Sequence, residues 1–585
     1  MFTAEKERVN LNIKRFCSEN GLAEPELHWS WIPFSGHWGI STSFFSMAAA
    51  EARQGKKVVV GQRAQEIAAQ AAQFLGQPEG FEKVEAVKGY LNLYFSSGLY
   101  ARRVVDTVLD EAEKFGGGTP TGKKVMVEFS QPNTHKAFHV GHLRNVILGA
   151  AVSNILESAG HEVVRANYIG DIGLHVIKWL WNYQKYHDGE NPDEDRTRWM
   201  GGIYAEADRR FEDDPSVEPE VRELFGRWDR RDPDITALWE KTRGWSMEGF
   251  QQIYDMLGVN FDKIYYESEV EDSGKDIVKD LIARGIARDE RPEGAVIIPL
   301  DELLGTKDKY RVMVILRSDG TSLYATKDLP LAVQKVETYH LDKSIYVIDA
   351  RQSLYMQQIF KVLEIMGYPW AKSLKHLAYE IVNLPGNVTM SSRDGTVVLL
   401  QDLVDEATRR ALAIVQAKNP ELPTERQQAI ARAVALGALK YSMLARDNVK
   451  IVTFDWEAAM DINGQAAPYI QYAYVRAKSI LRKAGSDANA SITPAYDLSE
   501  AEIELIDLIS RLPREIQRAA EELKPLYIAN ISYEIARAFN NFYNQCPVLQ
   551  ADETVRSFRL RLVLAAQQAI VNSLAVMGIT APEAM

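Results

Sequence analysis

The residues best suited to chemistry follow a short apolar stretch, Lys124 to Phe129, where the chain reads Glu128-Phe-Ser130-Gln-Pro132-Asn133-Thr-His135-Lys136-Ala-Phe-His139-Val-Gly141-His142. Its centre, His139-x-Gly141-His142, stands at an expected strand-to-helix turn. The first N–H groups of a helix lack intrahelical partners and favour an anion there. Two imidazoles can donate to phosphate oxygens that gain charge in a transition state. Gly141 has no side chain and lets a flat base approach the backbone. A second stretch, Met390-Ser391-Ser392-Arg393-Asp394-Gly395-Thr396, joins hydroxyls, a guanidinium and a glycine, a composition suited to gripping phosphate. Each stretch also has a plainer reading, as cap histidines and as a serine-rich turn.

Elements must position these groups. Gly116-Gly117-Gly118-Thr119-Pro120-Thr121-Gly122 can be neither helix nor central strand and reads as a linker. Residues 1–115 before it read as a small α+β module, with helices around 42–54, 64–74 and 99–115 and a strand at 89–95. After it, a strand (124–129), a helix (141–160) and a strand (162–167) form a βαβ unit, which implies a parallel sheet. Further strands are expected at 294–300, 310–317 and 343–348. The domain so defined spans 123–400, with a charged helical insertion, acidic at its N-caps, at about 188–290. Connecting helices follow at 401–455. From Thr424 onward the pattern is helical, and 456–585 reads as an α-helical bundle. The fold class is therefore α/β, a Rossmann-type doubly wound domain between an α+β module and an all-α bundle.

The 585 residues are enough for three or four domains. Hydrophobic residues at 46% and charged residues at 25% fit a globular chain. No run approaches the roughly 18 apolar residues of a membrane span, and the first twenty residues lack the apolar segment of a secretory signal. Cys17 and Cys546, the only cysteines, cannot build a zinc knuckle, so no protein-bound zinc is expected and a reducing cytoplasm fits best. A net charge of −12 excludes nonspecific coating of nucleic acid, though not a locally basic stripe.

The two stretches together resemble the signature motifs of class I aminoacyl-tRNA synthetases, and in detail those of the arginyl-tRNA synthetases. Pro132 to His142 matches the first motif region. Further matches are Leu323-Tyr324-Ala-Thr-Lys-Asp328-Leu, Asp349-Ala-Arg-Gln352-Ser-Leu, Pro468-Tyr-Ile-Gln-Tyr-Ala, Phe542-Tyr-Asn-Gln-Cys-Pro-Val-Leu549 and Met577-Gly-Ile-Thr-Ala-Pro-Glu-Ala-Met585. One departure matters. The family's second motif begins Lys-Met-Ser and often carries a second lysine, whereas Thr389 and Ser392 stand in those slots here. The resemblance implies that Lys136 substitutes for the lost lysine, with Arg393 as the other contender.

The resemblance further implies ATP, entering with Mg2+, L-arginine and tRNA-Arg as substrates of a monomer. Catalysis would fall to His139, His142 and Lys136, and ATP binding to His139, Gly141, His142, Met390, Ser391, Ser392 and Arg393. The arginine site would comprise Glu128, Ser130, Asn133, His142, Tyr324, Asp328 and Gln352. A guanidinium is planar, always charged and best held by a carboxylate accepting paired N–H bonds, which suits Asp328. Tyr324, four residues earlier, would share its helix face. Transfer would go to the 2′-hydroxyl of the terminal adenosine, with bound tRNA needed before activation. Residues 456–585 resemble the family's anticodon-binding domain, with Tyr469, Tyr472, Arg476, Asn544 and Gln545 as tRNA candidates. The first module resembles its tRNA-elbow domain, with Tyr90, Asn92 and Tyr94. A catalytically inactive tRNA-binding paralogue is the alternative.

Overall fold

The computed structural model describes the chain except residues 1, 33, 35, 193–194, 384–398 and 486–490, and the side chains of residues 3, 4 and 272. The second stretch, with Met390, Ser391, Ser392 and Arg393, lies outside the described residues.

The chain divides into two compact units. One comprises 1–115, 476–511 and 534–570. It holds strands β1 (Ser30–Trp31), β2 (Gly39–Ser43), β3 (Phe81–Val87) and β4 (Tyr90–Phe95) in an antiparallel sheet of order β1-β2-β4-β3. A helix at Thr3–Glu19, absent from the sequence reading, buries Val9, Ile13 and Phe16 at helical spacing.

The other unit comprises 116–475, 512–533 and 571–585. Its centre is a parallel sheet of β5 (Lys124–Glu128), β6 (Glu162–Ile169), β7 (Lys263–Tyr266), β11 (Lys343–Asp349) and β12 (Leu374–Tyr379), ordered β12-β11-β5-β6-β7. The chain winds outward from β5 through β6 to β7, then returns to β5's other side for β11. Strand order thus reverses at β5 and β11, and ligands of such sheets bind beyond the carboxyl ends at that reversal. Glu128 ends β5 and Asp349 ends β11. The fold is the expected Rossmann-type domain, with the α+β module before it and helices after it.

Two expected strands belong elsewhere. β9 (Val296–Pro299) and β10 (Val312–Leu316) pair antiparallel beside the two-residue β8 (Arg288–Asp289), in a separate small sheet of order β10-β9-β8. Hydrophobic runs fix strands but not their partners. The span 188–290 holds the helices Arg196–Asp213, Val217–Asp229 and Pro233–Leu257, and also β7. The acidic N-cap appears at Asp232, whose carboxylate accepts from the N–H groups of Asp234 and Ile235 ahead of Pro233.

The helix after β5, Val140–Ser158, is apolar nearly all round because it packs against β5, β6 and β11 as well as the helices Leu400–Lys418 and Thr424–Leu444. Gly149 within it abuts the Phe129 ring so closely that no side chain fits. The helix is thereby drawn against the first residue after β5. Four long helices, Ala467–Ala484, Glu500–Glu522, Leu526–Gln545 and Glu553–Val576, make up most of the last 120 residues.

Candidate active site

The loop from Phe129 to His139 carries three non-glycine residues in the left-handed region: Ser130 (φ 78°), Gln131 (φ 48°) and His135 (φ 62°). Such residues persist only where surroundings over-determine them. Here the amides of Ser130 and Gln131 donate to Asn145 Oδ1 (2.6 Å) and Asn167 Oδ1 (3.1 Å). Asn145 also donates to the Val347 carbonyl of β11 at 2.9 Å, tying loop, helix and neighbouring strand together. The buried Ser130 hydroxyl lies 2.7 Å from the Tyr254 hydroxyl, so it is engaged in fixing the loop. His135 is fully buried between Thr134 and Thr242. Asn133 bridges to Gly170 after β6, where any side chain would collide with the Asn133 amide.

The loop delivers His139 as N-cap of the Val140–Ser158 helix. Its Nδ1 accepts from the Gly141 amide (3.1 Å), and His142 Nδ1 accepts from the His139 amide (3.2 Å). The rings stack with centroids 3.9 Å apart. Burial pushes His139 down to about 4, with Lys136 adding to the effect, and burial drives His142 well below its ordinary value. Both imidazoles are therefore neutral at neutral pH. With Nδ1 accepting, each carries its proton on Nε2 and presents it as a donor. Gly141 is required for this geometry, because a Cβ there would press on the His139 ring. Lys136, lowered by burial, holds its ammonium 4.7 Å from the Tyr204 ring centroid.

The second cluster lies around Glu128. The Tyr324–Tyr339 helix presents Asp328, whose carboxylate accepts from the Tyr355 hydroxyl. The residue keeps partial solvent access, yet desolvation pushes its carboxyl group up to about 7, with Tyr355 opposing and Glu128 reinforcing the rise. Tyr324 is 72% exposed at the start of the helix, yet partial desolvation of its phenol, and then the nearby charges of Glu267 and Asp328, raise it. Gln352 stands exposed in the turn after β11. Glu128 is buried and accepts from Gln131 Nε2 (3.0 Å) and from Lys335. The sequence candidates Glu128, Asp328 and Tyr324 thus meet beyond the sheet's carboxyl edge, with the imidazole turn growing from the same strand as Glu128.

Sequence reasoning missed several neighbours. Lys335, Tyr355, Tyr168 and the pair Lys327–Glu267 (2.7 Å) crowd around Asp328. Lys335 had a signal, since it sits seven residues after Asp328 on one helix face, among the buried Leu331, Ala332 and Val336. Tyr355 had none. Asp171, in Gly170-Asp171-Ile172-Gly173, is fully buried and binds Ser268 and Arg243.

In the other unit, Tyr90 is exposed, Asn92 accepts from the Ser41 hydroxyl (2.7 Å), and Tyr94 is buried with its hydroxyl on Glu85. Arg476 donates to Asn540 and lies 5.0 Å from the Tyr543 ring centroid, beside the exposed Asn544 and Gln545. Tyr472, half-buried, and Tyr469, packed on Tyr533, belong instead to the unit of the parallel sheet. Among the described residues no three His, Cys, Asp or Glu side chains are grouped to hold a metal ion, and no helix is long and apolar enough to cross a membrane.

Residues 104–456 match the family described as tRNA synthetases class I (R), catalytic domain, and residues 470–585 match the DALR anticodon binding domain. The chain is 35% identical over 523 residues to the arginine–tRNA ligase of Clostridium perfringens, covering 89% of this chain and 90% of that one. It is similar in structure to the arginyl-tRNA synthetase of Thermus thermophilus (TM-score 0.79, 27% identity, 99% and 100% of the two chains). The arginyl-tRNA synthetase of Plasmodium falciparum shares the fold (TM-score 0.74, 17% identity, 100% and 99% covered).

Proposed function

This chain belongs to the class I arginyl-tRNA synthetases and is an arginine–tRNA ligase, and we propose that its two steps run at the crevice beyond β5 and β11. In the first, the arginine carboxylate attacks the α-phosphorus of ATP, and pyrophosphate leaves with the magnesium that enters on the nucleotide. The Nε2–H groups of His139 and His142 donate to phosphate oxygens as charge develops, without titrating. Lys136 supplies the ammonium that Thr389 and Ser392 lack. In the second step the 2′-hydroxyl of the terminal adenosine of tRNA-Arg takes the arginyl group. Activation waits on bound tRNA, the enzyme works as a monomer, and it resides in the cytoplasm.

The observation that carries this reading is Asp328. A carboxyl group desolvated enough to rise to about 7, held by a tyrosine hydroxyl, gains most from a partner that brings a permanent positive charge and planar donors. Glu128, Asn133, Tyr324 and Gln352 would hold the rest of the amino acid. Lysine, with a compact ammonium, leaves acceptor capacity unpaired at about 1–3 kcal/mol for each buried group.

Pyrophosphate–ATP exchange tests the reading. Exchange that needs arginine and tRNA together is the expected result. Binding of tRNA without exchange under any condition would support an inactive paralogue instead.

A further inference from the structure

Four carboxylates crowd the end of the sheet around Asp328: Glu128 from β5, Asp171 after β6, Glu267 after β7, and Asp328 itself. Three have their own cation. Lys335 donates to Glu128, Lys327 to Glu267 (2.7 Å) and Arg243 to Asp171 (2.9 Å). Asp328 instead receives the neutral Tyr355 hydroxyl. We propose that Lys335 is a specificity-determining residue, a built-in cation that occupies Glu128 so that Asp328 alone is left to take the side-chain charge of the incoming amino acid. This rests on the arginine-site reading above.

The geometry around Lys335 suits a fixed counter-charge. The side chain is 2% exposed, and its ammonium lies 5.4, 5.2 and 5.4 Å from the ring centroids of Tyr168, Tyr265 and Tyr346, on β6, β7 and β11. Three rings and a carboxylate leave it no room to swing towards solvent. It sits two helical turns beyond Asp328 on the same helix, so both charges face the cluster. Were Glu128 uncompensated, its carboxylate would compete for the guanidinium and would also oppose the ionisation of Asp328.

The groups facing Asp328 are Glu128, Lys335, Glu267 and Tyr355, and Tyr168, Tyr324 and Tyr346 feel its charge. Lys327 neutralises Glu267 as Arg243 does Asp171, so the Glu128–Lys335 pair is the balance a substitution can tip. The test is kcat/KM for arginine in tRNA charging, at saturating ATP and tRNA, from about pH 5.5 to about pH 8.5, where its acid limb reports the free enzyme. K335M should move that limb upward by about one pH unit and raise KM for arginine about fivefold at neutral pH, with kcat and KM for ATP little changed. E128Q, which also takes a carboxylate out of the arginine site and so raises KM for arginine at every pH, should move the limb the other way. K335R should keep it in place, and K335M/E128Q, a neutral pair in place of a buried ion pair, should return it towards the parent position. Should K335M fail to fold, E128Q and the double variant still decide. Limbs that stay put in all variants, or that K335M and E128Q move in the same direction, would overturn the proposal. A parent chain that charges no arginine at any pH would instead defeat the functional reading.

Discussion

Asp328 concentrates the energetic cost of the site. Its carboxyl is pushed from the ordinary aspartate range up to about 7, so between those values the folded chain holds a proton that the unfolded chain has lost. Stability therefore falls as pH rises from about 4 to about 7 and levels off above. Partial exposure limits the cost to on the order of a few kcal/mol. Asp328→Asn should remove that loss: the variant's unfolding midpoint without substrate should exceed the parent's at pH 8, with the gain shrinking towards pH 4. A constant difference at all pH values would mean that the carboxyl ionises freely. The histidines work in the opposite sense, since depressed imidazoles lose their stabilising contribution as pH falls through 6.5 to about 4. Much of this residue-scale picture was legible in sequence, because Asp328, Tyr324, Glu128 and the His139–His142 turn carry recognisable types at recognisable spacings. Lys335 and Tyr355 were not, because their meaning comes from strands and helices brought together by the fold.

Elements position these residues through a small number of polar anchors. Arg144, one turn past His139 on its helix, is 2% exposed. Its guanidinium donates to the carbonyls of Glu380, Ile381 (3.3 Å), Asp447 (3.4 Å), Asn448 (3.3 Å) and Lys450 (3.0 Å), and burial brings it down to about 10. Those carbonyls flank a two-stranded ladder of β13 (Val382–Asn383) and β14 (Val452–Thr453), next to the start of the residues that carry the serine-rich stretch. The first motif's helix is thus tied to this ladder. Arg144→Met should destabilise this unit by about 2–4 kcal/mol, since buried carbonyls lose donors, and Arg144→Lys should recover only part. Unchanged thermal unfolding in Arg144→Met would show that the ladder stands without it. The strands and helices expected from the sequence lie within a few residues of those observed, whereas Leu174–Tyr186, Ser353–Ile365 and β3 were not expected. β7 and β12 were missed because one is four residues long beside a charged stretch and the other follows a proline-led turn. The antiparallel pairing of β9 with β10 was missed because run length says nothing of partner.

At the scale of the whole molecule, the linker at Gly116 to Gly122 lies between elements as expected, whereas Thr424 marks no end of strand, since the helix Leu400–Lys418 precedes it and β14 follows it. Compactness divides the chain differently, since 476–511 and 534–570 group with 1–115. Helices that run through both units look continuous in sequence, and nothing in their periodicity marks where one packing environment ends. Tyr543 is 43% exposed with Arg476 beside its ring, the aromatic-and-cation pairing on which unpaired bases stack in RNA-binding proteins. Tyr543→Ala should raise KM for tRNA by about tenfold or more, as the loss of one stacked base at about 1–3 kcal/mol requires, while leaving KM for arginine unchanged at saturating tRNA. An unchanged KM for tRNA would remove Tyr543 from the RNA surface. The central claim, that the desolvated Asp328 carboxylate at the sheet's carboxyl edge selects a permanently charged planar side chain, is tested most directly by comparing arginine with citrulline, its uncharged near-isostere, in the parent and in Asp328→Asn. The account predicts that the parent's kcat/KM favours arginine by orders of magnitude and that the variant loses most of that preference through the arginine value. A variant that still prefers arginine as strongly as the parent would contradict it.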